Sequence, residues 1–112
     1  MRLWVLQVAH EGELSCSVHL TERGAATAAI TDLLDFLQIE DELGAVEAID
    51  THFGGHEHET PNRGTISGIW DRDNLKDMEV RELWKVFRTW SQCVWDNPMG
   101  YMIDINSRML EA

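Results

Sequence analysis

Leu14, Cys16, Val18 and Leu20 alternate with Ser15, Ser17 and His19. A period of two is met by an extended strand that covers one face and leaves the other in water. The apolar stretch 3–9 precedes it, and Glu11-Gly12 between the two suits a tight turn. The chain is therefore expected to open with an antiparallel hairpin, its Leu14 side turned inward together with Cys16. At 112 residues and 44% hydrophobic content, one core and one domain over residues 1–112 are expected.

Helical spacing follows the hairpin. Thr21 can cap a helix in which Ala26, Ile30, Leu33, Leu34 and Leu37 share one side, while Asp32 and Asp35 share the other with Ala28 and Thr31. A second helix is expected over 41–53, with Leu43, Val46, Ile49 and Phe53 as its buried stripe. Glu40, Asp41 and Glu42 stand at its start, where the helix dipole favours negative charge. Gly54 would end it, a polar loop would fill 54–64, and 65–70 would form a third strand. Asn74 can cap a long helix reaching Trp95, which Asn97-Pro98 stops. A last strand over 101–110 places Tyr101, Ile103 and Ile105 on one face. The resulting order ββααβαβ predicts an α+β fold, with an antiparallel sheet of about four strands packed against about three helices.

The long helix carries an apolar arc of about half its circumference, wider than a surface helix needs. It includes Leu83, Val86, Phe87, Trp84, Trp90 and Trp95, and Arg81, Lys85 and Arg88 form a basic ridge on the remainder. A helix of this kind suits the centre of a domain, packed on the sheet and flanked by another helix. Alternatively, one or two of Trp84, Trp90 and Trp95 stay exposed as hydrophobic anchors for a partner or for a second subunit in a homodimer.

Charge separates the chain into unequal parts. The formal net charge is −11, and between Arg23 and Arg63 there is no Lys or Arg. Those 39 residues hold nine of the 20 acids: Asp32, Asp35, Glu40, Asp41, Glu42, Glu47, Asp50, Glu57 and Glu59. The other 11 acids meet 9 bases, so the rest of the chain is near neutral. Such acidity repels nucleic acid and anionic membranes, and argues against direct binding to either. No apolar run approaches the ~20 residues of a membrane span. Gln7, His10 and Glu11 interrupt the opening stretch, unlike a signal peptide. Two cysteines build no disulfide scaffold, and a reducing cytoplasm is expected.

The residue types bear on three kinds of chemistry. His52, His56 and His58 could hold Zn²⁺ with Glu57 or Glu59 in support, which makes a small metal-binding protein or metal-dependent enzyme the alternative reading. Their spacing matches no established metal motif, however, and solvated loop histidines are the simpler expectation. Cys16 and Cys93 fall on apolar faces as inert thiols, and Cys16 points away from His19 on its strand. Gly54-Gly55 and Gly64 to Gly68 match no phosphate loop. No catalytic residue and no cofactor are expected. The carboxylates remain: Asp32 with Asp35 and Glu47 with Asp50 are three apart on helices, where like charges cost a few tenths of a kcal/mol per pair. Solubility alone can account for such a face, or it can meet a basic partner by imitating the phosphate array of DNA.

The stretch Trp4-Val-Leu-Gln-Val-Ala-His, followed by Ser17-Val-His-Leu-Thr-Glu, resembles short reading frames of phages and plasmids that begin with a hairpin running into an acidic helix. In profile (small, acidic and poor in motifs) the chain is similar to anti-restriction and anti-CRISPR proteins, several of which mimic nucleic acid. Nuclease immunity proteins, which neutralise a basic toxin, share that profile. The resemblance implies a non-enzymatic inhibitor working in a host cytoplasm. A basic nucleic-acid-binding protein or complex would be its partner, met through Asp32, Asp35, Glu40, Asp41, Glu42, Glu47 and Asp50.

Overall fold

The structure, a computed structural model, describes residues 1–53, 68–94 and 99–109, without the side chains of His52 and Phe53. β1 (Arg2–His10) and β2 (Glu13–His19) form the expected antiparallel hairpin. Its two-residue turn places Glu11 at φ 53° and Gly12 at φ 86°. Positive φ at both positions matches the right-handed twist of the strands, and glycine adopts it without cost. β3 (Met102–Met109) pairs antiparallel with the other side of β1, giving the order β2-β1-β3.

The described residues thus contain a mixed fold with three strands where four were expected. Residues 65–67 of the expected third strand lie outside the described residues, and Gly68-Ile69-Trp70 turn instead of extending. Gly68 has φ +105°, and the Asn74 side-chain amide donates to its carbonyl at 3.0 Å. A Cβ on Gly68 would lie 2.3 Å from that amide nitrogen, so the turn requires glycine.

Strand register corrects the expected orientation of the hairpin. The tight turn pairs His10 with Glu13, which puts Leu6 opposite Ser17 and Val5 opposite Val18. Directly paired residues share a face. Trp4, Leu6, Val8 and His10 face the helices, and they carry Ser15, Ser17 and His19 with them. Leu14, Cys16 and Val18 point the other way and are exposed. β1 is apolar on both faces, so periodicity in β2 alone could not say which face is covered. The turn couples the two strands, and the larger Trp4 and Leu6 side decides for both.

Four helices are described: α1 (Glu22–Phe36), α2 (Glu42–Phe53), α3 (Arg72–Leu75) and α4 (Val80–Cys93). Thr21 caps α1 as expected, accepting from the Gly24 amide at 3.0 Å. The long helix expected from Asn74 is in fact two. Asp71 caps α3 by accepting from the Asp73 amide, while Asn74 is occupied with Gly68. Asp77 and Met78 donate to the carbonyls of Asn74 and Leu75, closing tight turns that stop α3 before α4 starts.

α1 packs against all three strands on one side and against α4 on another. It, not the C-terminal helix, is the element that lies on the sheet. Its alanine-rich face (Ala25, Ala26 and Ala29, all fully buried) permits that close approach. One apolar cluster joins Ile30, Leu33 and Leu34 of α1 to Ile49 of α2, Leu75 of α3, Leu83 and Trp90 of α4, and Tyr101 at the start of β3. Among the described residues no helix is long and apolar enough to cross a membrane.

Candidate acidic interface

The seven acids singled out from the sequence occupy three different environments. Asp32 and Asp35 lie one turn apart on α1, and each has a partner. Asp32 is half-buried, and its Oδ2 accepts from the Tyr101 hydroxyl. The Tyr101 ring stacks on Phe36 at 4.1 Å between centroids and meets the edge of His10 at 6.0 Å. Burial, then the bond to Asp32 and the nearby charge of Asp32 and Asp35, push the Tyr101 hydroxyl pKa well above its ordinary range. Asp35 sits in the last turn of α1, where the helix dipole disfavours a carboxylate and that turn holds no base. Arg72 of α3 reaches across to pair with it.

Between the helices, α1 closes with Gln38 at φ 58°, its amide donating to Asp35 and that of buried Ile39 to Leu34. This is a Schellman turn with glutamine in the left-handed position that glycine usually takes. Asp41 then caps α2, its Oδ1 accepting from the Gly44 amide at 2.8 Å. Its carboxylate is therefore part of the helix start as well as of the surface.

Glu40, Glu42, Glu47 and Asp50 form the third group, all exposed. Leu43 stands among them at 66% exposure, whereas the sequence pattern put it in the buried stripe. The correction has a simple cause. Ala45 and Ile49 are fully buried and set the inner side of α2, and at 100° per residue Leu43 lies nearly opposite Ala45. Leu43, Glu47 and Asp50 accordingly share an outward strip at i, i+4 and i+7. No lysine or arginine occurs in α2.

The remaining candidates divide cleanly. Trp90 is fully buried, with its indole N–H donating to the Ile69 carbonyl at 3.1 Å, so it belongs to the core and cannot anchor a partner. Trp84 is half-buried against Trp4 and Phe87, and its indole N–H donates to Glu22 Oε1 at 2.5 Å. Trp95, His56 and His58 lie outside the described residues, as does the side chain of His52. Cys93 is packed beside the core, and burial pushes its thiol pKa up from 9.0 to about 12, against nucleophilic use. Cys16, expected inside, is exposed.

Shallow grooves run between these elements. One of about 530 Å³ follows α1 past Thr27, Thr31, Asp32 and Asp35, with Arg23 and Lys76 also lining it. Its acids are those already held by Tyr101 and Arg72. The chain matches no protein-family model, no curated protein and no solved structure. Sequence reasoning missed the pairs Asp32–Tyr101, Asp35–Arg72 and Glu22–Trp84, which join positions 69, 37 and 62 residues apart. No local pattern carries contacts of that range. The exposure of Leu43 did have a signal, because centring the helix on Ala45 and Ile49 turns Leu43 outward.

Proposed function

We propose that this chain is a non-enzymatic interaction protein that binds a basic, nucleic-acid-handling protein or complex through the outer side of α2 and the turn leading into it. Glu40, Glu42, Glu47 and Asp50 act as phosphate surrogates, with Asp41 contributing from its cap. Inhibition of a host defence or nuclease complex is the setting that the small, acidic, motif-poor profile favours. One observation carries the reading: four exposed carboxylates surround an exposed leucine on a surface whose helix has no cation. Carboxylates kept only for solubility need no apolar residue among them. A binding face uses both, because charge steers the encounter while a desolvated side chain slows dissociation.

The test is affinity capture from a bacterial lysate with the chain as bait, at about 50 mM and about 500 mM salt, where phosphate-like contacts weaken steeply. A basic nucleic-acid-binding protein should be recovered at low salt only. The double variant Glu40→Lys/Glu47→Lys should lose it while its melting temperature stays within a few degrees, since both side chains are exposed. Asp32 and Asp35 are left out of the variant because reversing them would also disturb Tyr101 and Arg72. Equal capture by the double variant would sink the proposal.

A further inference from the structure

The helices cover one face of the sheet, and the opposite face is apolar along β2 and much of β1, with Gln7 on β1 and Asp104, Asn106 and Arg108 on β3 completing it. Leu14, Val18 and Met102 are exposed there by 66, 60 and 70%. On the central strand, half-buried Val5 lies between Val18 and Asn106, half-buried Leu3 lies beside Arg108, and Ala9 lies between Leu14 and Met102. An antiparallel sheet commonly leaves one face in water, and that face is then polar; here the described helices cover one face, and the other still carries Leu3 and Val5 on β1 and Leu14 and Val18 on β2. Isolated exposed leucines are ordinary. A group of apolar side chains on the open face of a sheet is the kind of surface that protein contacts use.

We propose that a second copy of this chain packs on this face, sheet against sheet, with the helices of both copies outward. Charge selects that occupant. On this face β3 carries one base, Arg108, and one acid, Asp104, exposed on the same side four residues apart. The clustered acids of α2 lie on a separate, helical surface. Two chains of net charge −11 can therefore meet here without opposing their acidic segments. Val5 is paired with both Val18 and Asn106. A two-fold axis running across the strands through that row lays Val18 on its own copy, sets Asp104 of each copy over Arg108 of the other and leaves Leu14 and Met102 at the rim.

Size is consistent with a modest dimer. At ~3.3 Å per residue and ~4.8 Å between strands, the face is roughly 25 by 14 Å. With side-chain relief this gives on the order of 600 Å² per copy, the lower end of what specific interfaces bury. With few large apolar anchors and several polar residues on the face, the dimer is expected to form in the micromolar range.

Sedimentation equilibrium of the intact chain from about 1 to about 500 µM tests this, over the range where interfaces of this size associate. The mass should climb from one chain toward two. Added salt should strengthen association by screening two acidic chains, the opposite of its effect on capture of a basic partner. Val18→Lys, at an exposed position, should give a single-chain mass throughout with an unchanged melting curve. Asp104→Arg should weaken the dimer on the order of tenfold, and adding Arg108→Asp should restore it. Maleimide labelling of Cys16 should slow as concentration rises, with half-buried Cys93, on the far side of the helices, as the concentration-independent control. A single-chain mass at every concentration, or a dimer indifferent to both Val18→Lys and Asp104→Arg, overturns the proposal. Glu40→Lys/Glu47→Lys leaves this face untouched, so the dimer and the acidic interface fail independently.

Discussion

α1 and α2 are both acidic helices, but they use their carboxylates in different ways. On α1, Asp32 accepts from Tyr101 and Asp35 pairs with Arg72, so each acid ties the helix to an element distant in sequence. On α2, Glu42 and Glu47 project outward beside exposed Leu43. One set of acids helps hold the fold and the other is open to a partner. A count of acids along the chain merges the two, and only the residues opposite each acid separate them.

The comparison breaks most visibly through the apolar residues that position each helix. Ile30 is fully buried at the centre of the core, whereas Leu43 is 66% exposed. Ile30→Ala should cost about 2–5 kcal/mol through lost transfer energy and the cavity left behind. Leu43→Ala should stay within about 0.5 kcal/mol while weakening capture of the basic partner. Urea denaturation midpoints give both numbers. Comparable losses would mean that the outer side of α2 is covered and that the two helices do not differ as described.

Tyr101 sharpens the comparison at the next level. Tyr101→Phe removes the donor to half-buried Asp32 and should cost about 1–3 kcal/mol. The pH dependence has a definite sign. Tyr101 and Cys93 both have folded-state pKa values raised by burial. In the unfolded chain these groups release their protons at ordinary values, near 9 for the thiol and 10 for the phenol, while in the folded chain they retain them. The unfolded state then binds fewer protons, and stability falls as pH rises. Their contribution is complete below pH ~9 and declines above it, first through Cys93 and then through Tyr101. Urea midpoints between about pH 7 and 11 should show the decline. Tyr101→Phe should remove the part that begins near pH 10 and leave the part that begins near pH 9.

Much of the fold was legible because its causes are local. The Glu11-Gly12 turn, the Thr21 cap, the Ile30–Leu33–Leu34 stripe and the final strand all follow from spacing or from one residue's conformational preference. What escaped was relational. The orientation of β2 depends on the register that the turn imposes on a strand apolar on both faces. The break between α3 and α4 depends on Asn74 being drawn to Gly68, a contact that no helical pattern encodes. The candidate site was legible as a charged segment and not as a surface, because the partners of Asp32 and Asp35 come from a strand start and a short helix far along the chain.

The smallest predicted effect is also the most discriminating. Asp35 and Arg72 form a surface pair with side chains 64% and 49% exposed, a geometry worth about 0–1 kcal/mol. Asp35 also lies in the last turn of α1, where an unpaired carboxylate costs about 0.3–1 kcal/mol against the helix dipole. Asp35→Asn removes both effects, which nearly cancel, and its stability change should be close to zero. Arg72→Ala removes the pair but leaves the carboxylate facing the dipole, so it should destabilise by about 0.5–1 kcal/mol. The double variant should recover most of that loss. On α2, Glu47→Gln should leave stability unchanged and instead weaken partner capture. A double-mutant cycle of Asp35 and Arg72 in low salt reads the coupling directly. If Arg72→Ala is as silent as Asp35→Asn, the α1 pair contributes nothing to the fold. Asp35 would then rank with Glu47 as an outward charge, and the distinction between the two helices would rest on the bonds of Asp32 to Tyr101 and of Glu22 to Trp84.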